Sequence, residues 1–201
     1  MTSRSRTDET LVQEMAAGDA EAFAAIYRRY NAPVYRFARQ MTGSDAVSQD
    51  VVQEVFMALL DRPAAYDPAR GELRTFLFGI ARHHVLRRIR REPRSVPLPA
   101  AGETDAALPD QLIDRADPAS DLARAQLIET LRRAVLALPP HYREAVVLCD
   151  LQALSYRDAA AVVGCRVGTI RSRLNRARAL LRRKLQARAA AADAVRRRCF
   201  A

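Results

Sequence analysis

A chain of 201 residues has room for one or two domains, and its 49% hydrophobic content lets each bury a small core. The formal charge of +10 and a pI near 10.5 point to a polyanionic partner. Cys149, Cys165 and Cys199 are isolated, with no CxxC spacing, which excludes a disulfide framework and a zinc site.

Strand signals are nearly absent, and apolar periodicity predicts helices throughout. In chain order these are Thr7–Ala17, Ala20–Tyr30, Ala32–Met41, Ser44–Leu60, Leu73–Arg91, Asp121–Leu138, Pro140–Leu148, Tyr156–Val163 and Val167–Ala192. The fold class is therefore all-α. Two small helical domains are expected at 1–91 and 121–186, joined by a Pro-rich acidic linker at 92–120, with a basic tail at 187–201. No stretch approaches about 18 apolar residues and the N-terminus lacks an apolar signal core, so a cytoplasmic protein without membrane insertion is expected.

Charge is unevenly placed along these elements. The first 61 residues hold nine acids and six arginines. Arg70 to Arg91 holds seven basic residues and one acid, and Arg166 to Ala201 twelve and one. Of the 33 basic residues only Lys184 is lysine. A planar guanidinium suits bidentate contact with phosphate and guanine; a GC-rich genome would produce the same bias.

In the first half, Asp50 to Leu60 has more apolar residues than one core stripe needs. Val52, Val55, Phe56 and Leu59 serve the core, while Asp50, Gln53, Glu54 and Met57 line the other side. An acidic-polar face with a Met suits docking on another protein's helix; on spacing alone a solvated face is the simpler reading. Leu73 to Arg91, LRTFLFGIARHHVLRRIRR, interleaves arginines with Phe76 and Phe78, which fits a surface that holds nucleic acid and stacks bases. His83 and His84 are adjacent, face different directions and have no partner ligands at metal spacing, so no metal is expected.

The segment from Glu92 to Ser120 carries five of the ten prolines and six acids against two arginines. It reads as an extended linker, either an inert spacer or an acidic strand for a basic channel of a partner.

The second half ends in SYRDAAAVVGCRVGTIRSRLNRARALLRRK, from Ser155 to Lys184. Ser155 with Asp158 forms a capping box, and Gly164 tolerates the positive φ of a sharp turn. Ile170, Leu174, Ala177 and Leu181 form one buried stripe; Arg171, Asn175, Arg178 and Arg182 repeat on another face. This is a helix-turn-helix pattern, whose second helix reads the major groove. A plain helical hairpin with a solvated arginine face is the bland alternative.

Taken in order, DVVQEVFMALL, LRTFLFGIARHHVLRRIRR, the acidic linker and LPPHYREAVVLCDLQALSYRDAAAVVGCRVGTIRSRLNRARALLRRKL resemble the extracytoplasmic-function (ECF) sigma factors of bacterial RNA polymerase across nearly all of residues 8–186. The resemblance implies a first domain that binds the polymerase core through Asp50, Gln53, Glu54 and Phe56. It implies that Leu73–Arg91 engages the minus-ten promoter element, with Arg74, Phe76, Arg82, His83, Arg87, Arg88 and Arg91 as contacts. The helix-turn-helix would hold the minus-thirty-five element; there Arg171, Ser172, Asn175 and Arg176 are read as base-edge or adjacent phosphate contacts, and Arg173, Arg178, Arg182 and Arg183 as phosphate grips. Implied partners are bacterial RNA polymerase core, promoter DNA and an anti-sigma factor, with no cofactor and no small-molecule substrate.

The sequence departs from the family pattern in places. Gln49 stands where an acid usually precedes the Asp of DVVQE, tryptophan is missing near Leu60, and His83 and Arg87 replace the usual Asn and Asp. The competing reading is an autonomous helix-turn-helix regulator that binds operators without polymerase. An enzyme finds no carboxylate cluster, nucleophile motif or Gly-rich phosphate loop.

Overall fold

The computed structural model describes residues 6–91 and 118–199, with side chains described for 6–90 and 124–186. Most of the expected linker, the side chain of Arg91, those of the basic tail and Cys199 lie outside that set.

Helix α1 (Asp8–Ala16) starts at Thr7, whose hydroxyl accepts the Thr10 N–H at 3.3 Å. Helix α2 (Ala20–Thr42) starts at Asp19, which accepts the N–H groups of Glu21 and Ala22 at 2.8 and 3.3 Å. These caps satisfy donors that a helix start leaves orphaned. Sequence periodicity predicts two helices here, broken near Asn31; the structure has one, with Pro33 inside it. The buried residues Ala22, Ile26, Tyr30, Val34, Phe37, Ala38 and Met41 run on one face through the proline. That continuous packing outweighs the one backbone bond that proline removes.

Helix α2 ends at Gly43, at φ +77°. That conformation calls for glycine, and a Cβ there would also lie 3.0 Å from a Leu136 methyl, which would have to give way slightly. Helix α3 (Asp45–Asp61) follows, capped by Ser44. Two short 3₁₀ turns, Pro63–Ala65 and Pro68–Arg70, lead to α4 (Leu73–Arg91), whose limits match the sequence reading. Helices α2, α3 and α4 pack on one another around Ile26, Phe37, Met41, Val55, Leu59, Leu77 and Phe78, with α1 laid on α2.

The second unit begins with α5 (Pro118–Leu136), which starts inside the span read as linker. Pro118 suits a helix start, because its missing N–H has no helical partner in the first turn anyway. Helix α6 (Pro140–Val146) passes into a π turn at Val147–Leu151, where a single helix to Leu148 is expected. Ala153 then takes φ +53°. Helix α7 (Tyr156–Val163) keeps its expected limits, while α8 (Val167–Cys199) runs through most of the expected tail.

The two units touch. Helix α4 packs on α7, and α2 packs on α5, α6 and the π turn. Arg143 of α6 crosses this seam: its guanidinium donates to the carbonyls of Met41 at 2.5 Å and Leu138 at 3.1 Å, and to that of Leu136. One cation thus answers carbonyls at the C-terminal ends of α2 and α5, where the helix dipole favours positive charge. Burial lowers its pKa, and its Nε is buried without a partner.

Candidate nucleic-acid and protein interfaces

The helix-turn-helix forms as its sequence dictates. The Ser155 hydroxyl accepts the Asp158 N–H at 3.1 Å and donates to its carboxylate at 2.5 Å. Gly164 sits at φ +72°, and the N–H groups of Gly164 and Cys165 both reach the Ala160 carbonyl, at 2.9 and 3.0 Å. Ile170, Leu174, Ala177 and Leu181 are buried, so α8 is locked against its neighbours along the expected stripe. That packing turns the opposite face outward: Arg171, Ser172, Asn175, Arg176, Arg182 and Arg183 are all exposed. Arg173 is half-buried.

Arg178 has a different setting from its neighbours. Its Nε and a terminal nitrogen bind the two carboxylate oxygens of Asp150, on the π turn, at 3.1 and 2.6 Å. This hydrogen-bonded carboxylate raises the pKa of Arg178. The pair ties the middle of α8 to the chain entering the helix-turn-helix, through an arginine side chain that stays half exposed. Sequence spacing placed Arg178 on the same stripe as Arg171 and Arg182; the bidentate partner came from 28 residues away.

Helix α4 shows how spacing can mislead. Phe78 is buried against Phe37, with ring centroids 5.4 Å apart. Phe76 is half-buried against Tyr66 at 5.7 Å. The expectation that Phe76 and Phe78 both offer stacking faces is therefore corrected: Phe78 belongs to the core, because α4 is covered on two sides by α2 and α3. Arg74 lies with its guanidinium 5.5 Å from the Phe78 ring centre and donates to the Gln152 carbonyl. Arg82 pairs with Glu144 of α6. Arg88 pairs with Asp50 of α3 at 3.1 Å. His83 and Arg87 are exposed.

On α3, Asp50, Gln53 and Glu54 face solvent, and Met57 is half exposed. Glu54 lies 3.9 Å from His84. Burial lowers the His84 pKa, with Glu54 opposing the shift. Phe56 points the other way: it is 3% exposed and packs on Tyr27 and Phe23, at 4.7 and 6.2 Å between ring centroids. Phe56 thus supports the face from behind. Exposed Tyr27 and Leu60 extend the face beside Met57; sequence reasoning missed Tyr27 because it lies on another helix.

Cys149 and Cys165 are partly buried, and burial pushes the Cys149 thiol up to about 11. A thiol protonated at neutral pH is a poor redox nucleophile. Among the described residues no group of three or more His, Cys, Asp or Glu could hold a metal, and no helix is long and apolar enough to cross a membrane.

A four-helix unit with an acidic face and an arginine-rich helix, followed by a helix-turn-helix unit, is the layout of sigma-70-type transcription initiation factors. Family models agree: sigma-70 region 2 matches residues 26–95 and sigma-70 region 4 matches residues 128–181. The chain is 35% identical over 184 residues to the ECF RNA polymerase sigma factor SigC of Mycobacterium tuberculosis, covering 89% of this chain and 92% of that one. It is 32% identical over 190 residues to the ECF RNA polymerase sigma-E factor of Escherichia coli K12, covering 92% and 97%. Among solved structures, CnrH in complex with the cytosolic domain of CnrY aligns at a TM-score of 0.64 and 28% identity, covering 90% of this chain and 97% of that chain. RpoE in complex with the anti-sigma factor NepR from Bartonella quintana aligns at 0.63 and 26%, covering 83% and 98%.

The chain belongs to the ECF sigma factors of RNA polymerase. That membership favours promoter selection over operator binding without polymerase.

Proposed function

We propose that the chain tethers to core polymerase through α3 and grips the promoter at two places, through α4 and α8. The carrying observation is the division of charge between exposed faces: Asp50, Gln53 and Glu54 on α3, against Arg171, Arg176 and Arg182 on α8. An acidic face repels DNA and suits a basic protein helix, whereas an exposed arginine face suits phosphate and guanine edges. The functional units would be 1–91 for core binding and the minus-ten element and 121–186 for the minus-thirty-five element. The linker 92–120 and the tail 187–201 fall outside both.

On α8, Arg171, Ser172, Asn175 and Arg176 lie toward the N-terminal end, the part of a recognition helix that meets base edges. Arg182 and Arg183, further along, would grip phosphates, with Arg173 at the side. On α4, His83 and Arg87 are the exposed candidates for the minus-ten element, and Arg74, Phe76, Arg82, Arg88 and Arg91 complete the set. These groups would act by binding, in the cytoplasm. The neighbours solved with CnrY and NepR support an anti-sigma partner for this chain too.

Asp50→Arg tests the tether. It reverses charge on an exposed residue, so the fold should persist by circular dichroism while pull-down of core polymerase is lost. Undiminished capture would refute the assignment of α3.

A further inference from the structure

The outward face of α8 is chemically uneven. Arg171, Ser172, Asn175 and Arg176 share it, and all four are exposed. A guanidinium only donates, so Arg171 and Arg176 answer acceptors. The Ser172 hydroxyl donates to the Thr169 carbonyl at 3.0 Å, which turns its proton back into the helix. Among the described residues nothing bonds the Asn175 carboxamide, so its oxygen and its nitrogen both remain for a ligand. Of the four, only Asn175 offers a free donor and a free acceptor side by side.

That pairing matters in the major groove. Guanine shows two acceptors there, O6 and N7, whereas adenine shows an acceptor, N7, beside a donor, N6. A carboxamide donates to N7 and accepts from N6 in one plane. An arginine cannot accept, so it cannot make that bidentate contact. Packing keeps Asn175 turned outward: Leu174 beside it is 1% exposed, and the helix cannot roll to bury the amide without exposing that leucine. The register follows from helix geometry. At 1.5 Å per residue, Asn175 lies about 6 Å along the axis from Arg171 and about 40° around it. Bases repeat at about 3.4 Å along a strand. Along the groove, the two side chains therefore reach bases about two pairs apart.

We propose that Asn175 is a specificity-determining residue that selects adenine in the promoter element read by α8, about two base pairs from a guanine selected by Arg171. The inference rests on the reading of α8 as the helix that meets base edges. It adds which base is demanded, by which side chain, and at what spacing.

The test is transcription by core polymerase with the full chain, from a promoter library randomised through the minus-thirty-five element. The parent is compared with Asn175→Ala, Asn175→Asp and Arg171→Ala. Asn175 is exposed, so its variants should keep the fold, which circular dichroism checks. Asn175→Ala should lower an adenine preference at one position by about five- to a hundredfold, the size of one bidentate pair, and leave other positions unchanged. That position should lie about two base pairs from the one that Arg171→Ala relaxes. Asn175→Asp keeps the shape but presents acceptors only, so preference there should move to a G·C pair, through the cytosine N4 donor. An even loss on every sequence from Asn175→Ala would make Asn175 a phosphate contact and overturn the assignment. So would an unaltered adenine preference in both Asn175 variants, or the loss of preference for another base. In each of these cases α8 stands as the base-reading helix if Arg171→Ala still changes one position. If no variant changes any position, the reading of α8 fails together with the inference.

Discussion

Helices α4 and α8 carry similar arginine-rich sequences in opposite circumstances. On α8 one apolar stripe, Ile170, Leu174, Ala177 and Leu181, meets the protein, and Arg171, Arg176 and Arg182 face solvent. Helix α4 is packed on α2 and α3 and also on α7 of the other unit. Its arginines divide accordingly: Arg74, Arg82 and Arg88 bind protein groups, and Arg87 is exposed. A count of arginines therefore says how much positive charge a helix owns. The number of neighbours that cover it decides how much it can offer to DNA.

The sharpest way to break this contrast is to remove what orients α8. Leu174 is 1% exposed, and Leu174→Ala should cost about 2–5 kcal/mol of stability. Thermal unfolding reads that loss, and transcription from minus-thirty-five-dependent promoters should fall with it. A melting curve like that of the parent would mean that α8 does not depend on this stripe.

A smaller effect separates roles along α8 itself. Arg171→Ala should relax preference at one promoter position by about 1–3 kcal/mol. Arg182→Ala should weaken binding evenly across sequences and lower the salt dependence by about one counterion. Selection from a randomised minus-thirty-five library, read at two salt concentrations, distinguishes the two. Identical profiles would remove the base-reading role of Arg171.

The smallest effect concerns α4 and α3. Burial lowers the His84 pKa from 6.5, so the folded state binds that proton less readily than the unfolded chain. Stability from this group is full above pH 6.5 and declines as pH falls below it. Glu54→Gln removes the group that opposes the shift and should steepen the decline. Urea unfolding at pH 7.5 and pH 5.5 measures it; equal pH dependence in both proteins would mean that Glu54 does not sense His84.

Local signals were read correctly where the physics is local. Asp19, Ser155 and Gly164 act within a few residues of their own position, and each cap stands where its residue type predicts. The stripe on α8 was legible because a single face of that helix packs. The break expected near Asn31 does not exist, since Pro33 argues locally for an end while Tyr30 and Val34 continue a buried face. Phe78 was misplaced on a nucleic-acid surface because α4 packs on more than one side, so its apolar residues do not form one stripe. The pairing of Arg178 with Asp150 was hidden for a related reason: the partner comes from another element.

Sequence alone determined the all-helical class, the two units, the helix-turn-helix and the family, because caps, turns and heptad-like spacing act over a few residues and survive any packing. Tertiary structure alone decided which arginines face outward. It set Glu144 against Arg82, Gln152 against Arg74 and Asp150 against Arg178. A guanidinium is the same group in every sequence position, and only its distance to a carboxylate or carbonyl determines whether it is left for DNA.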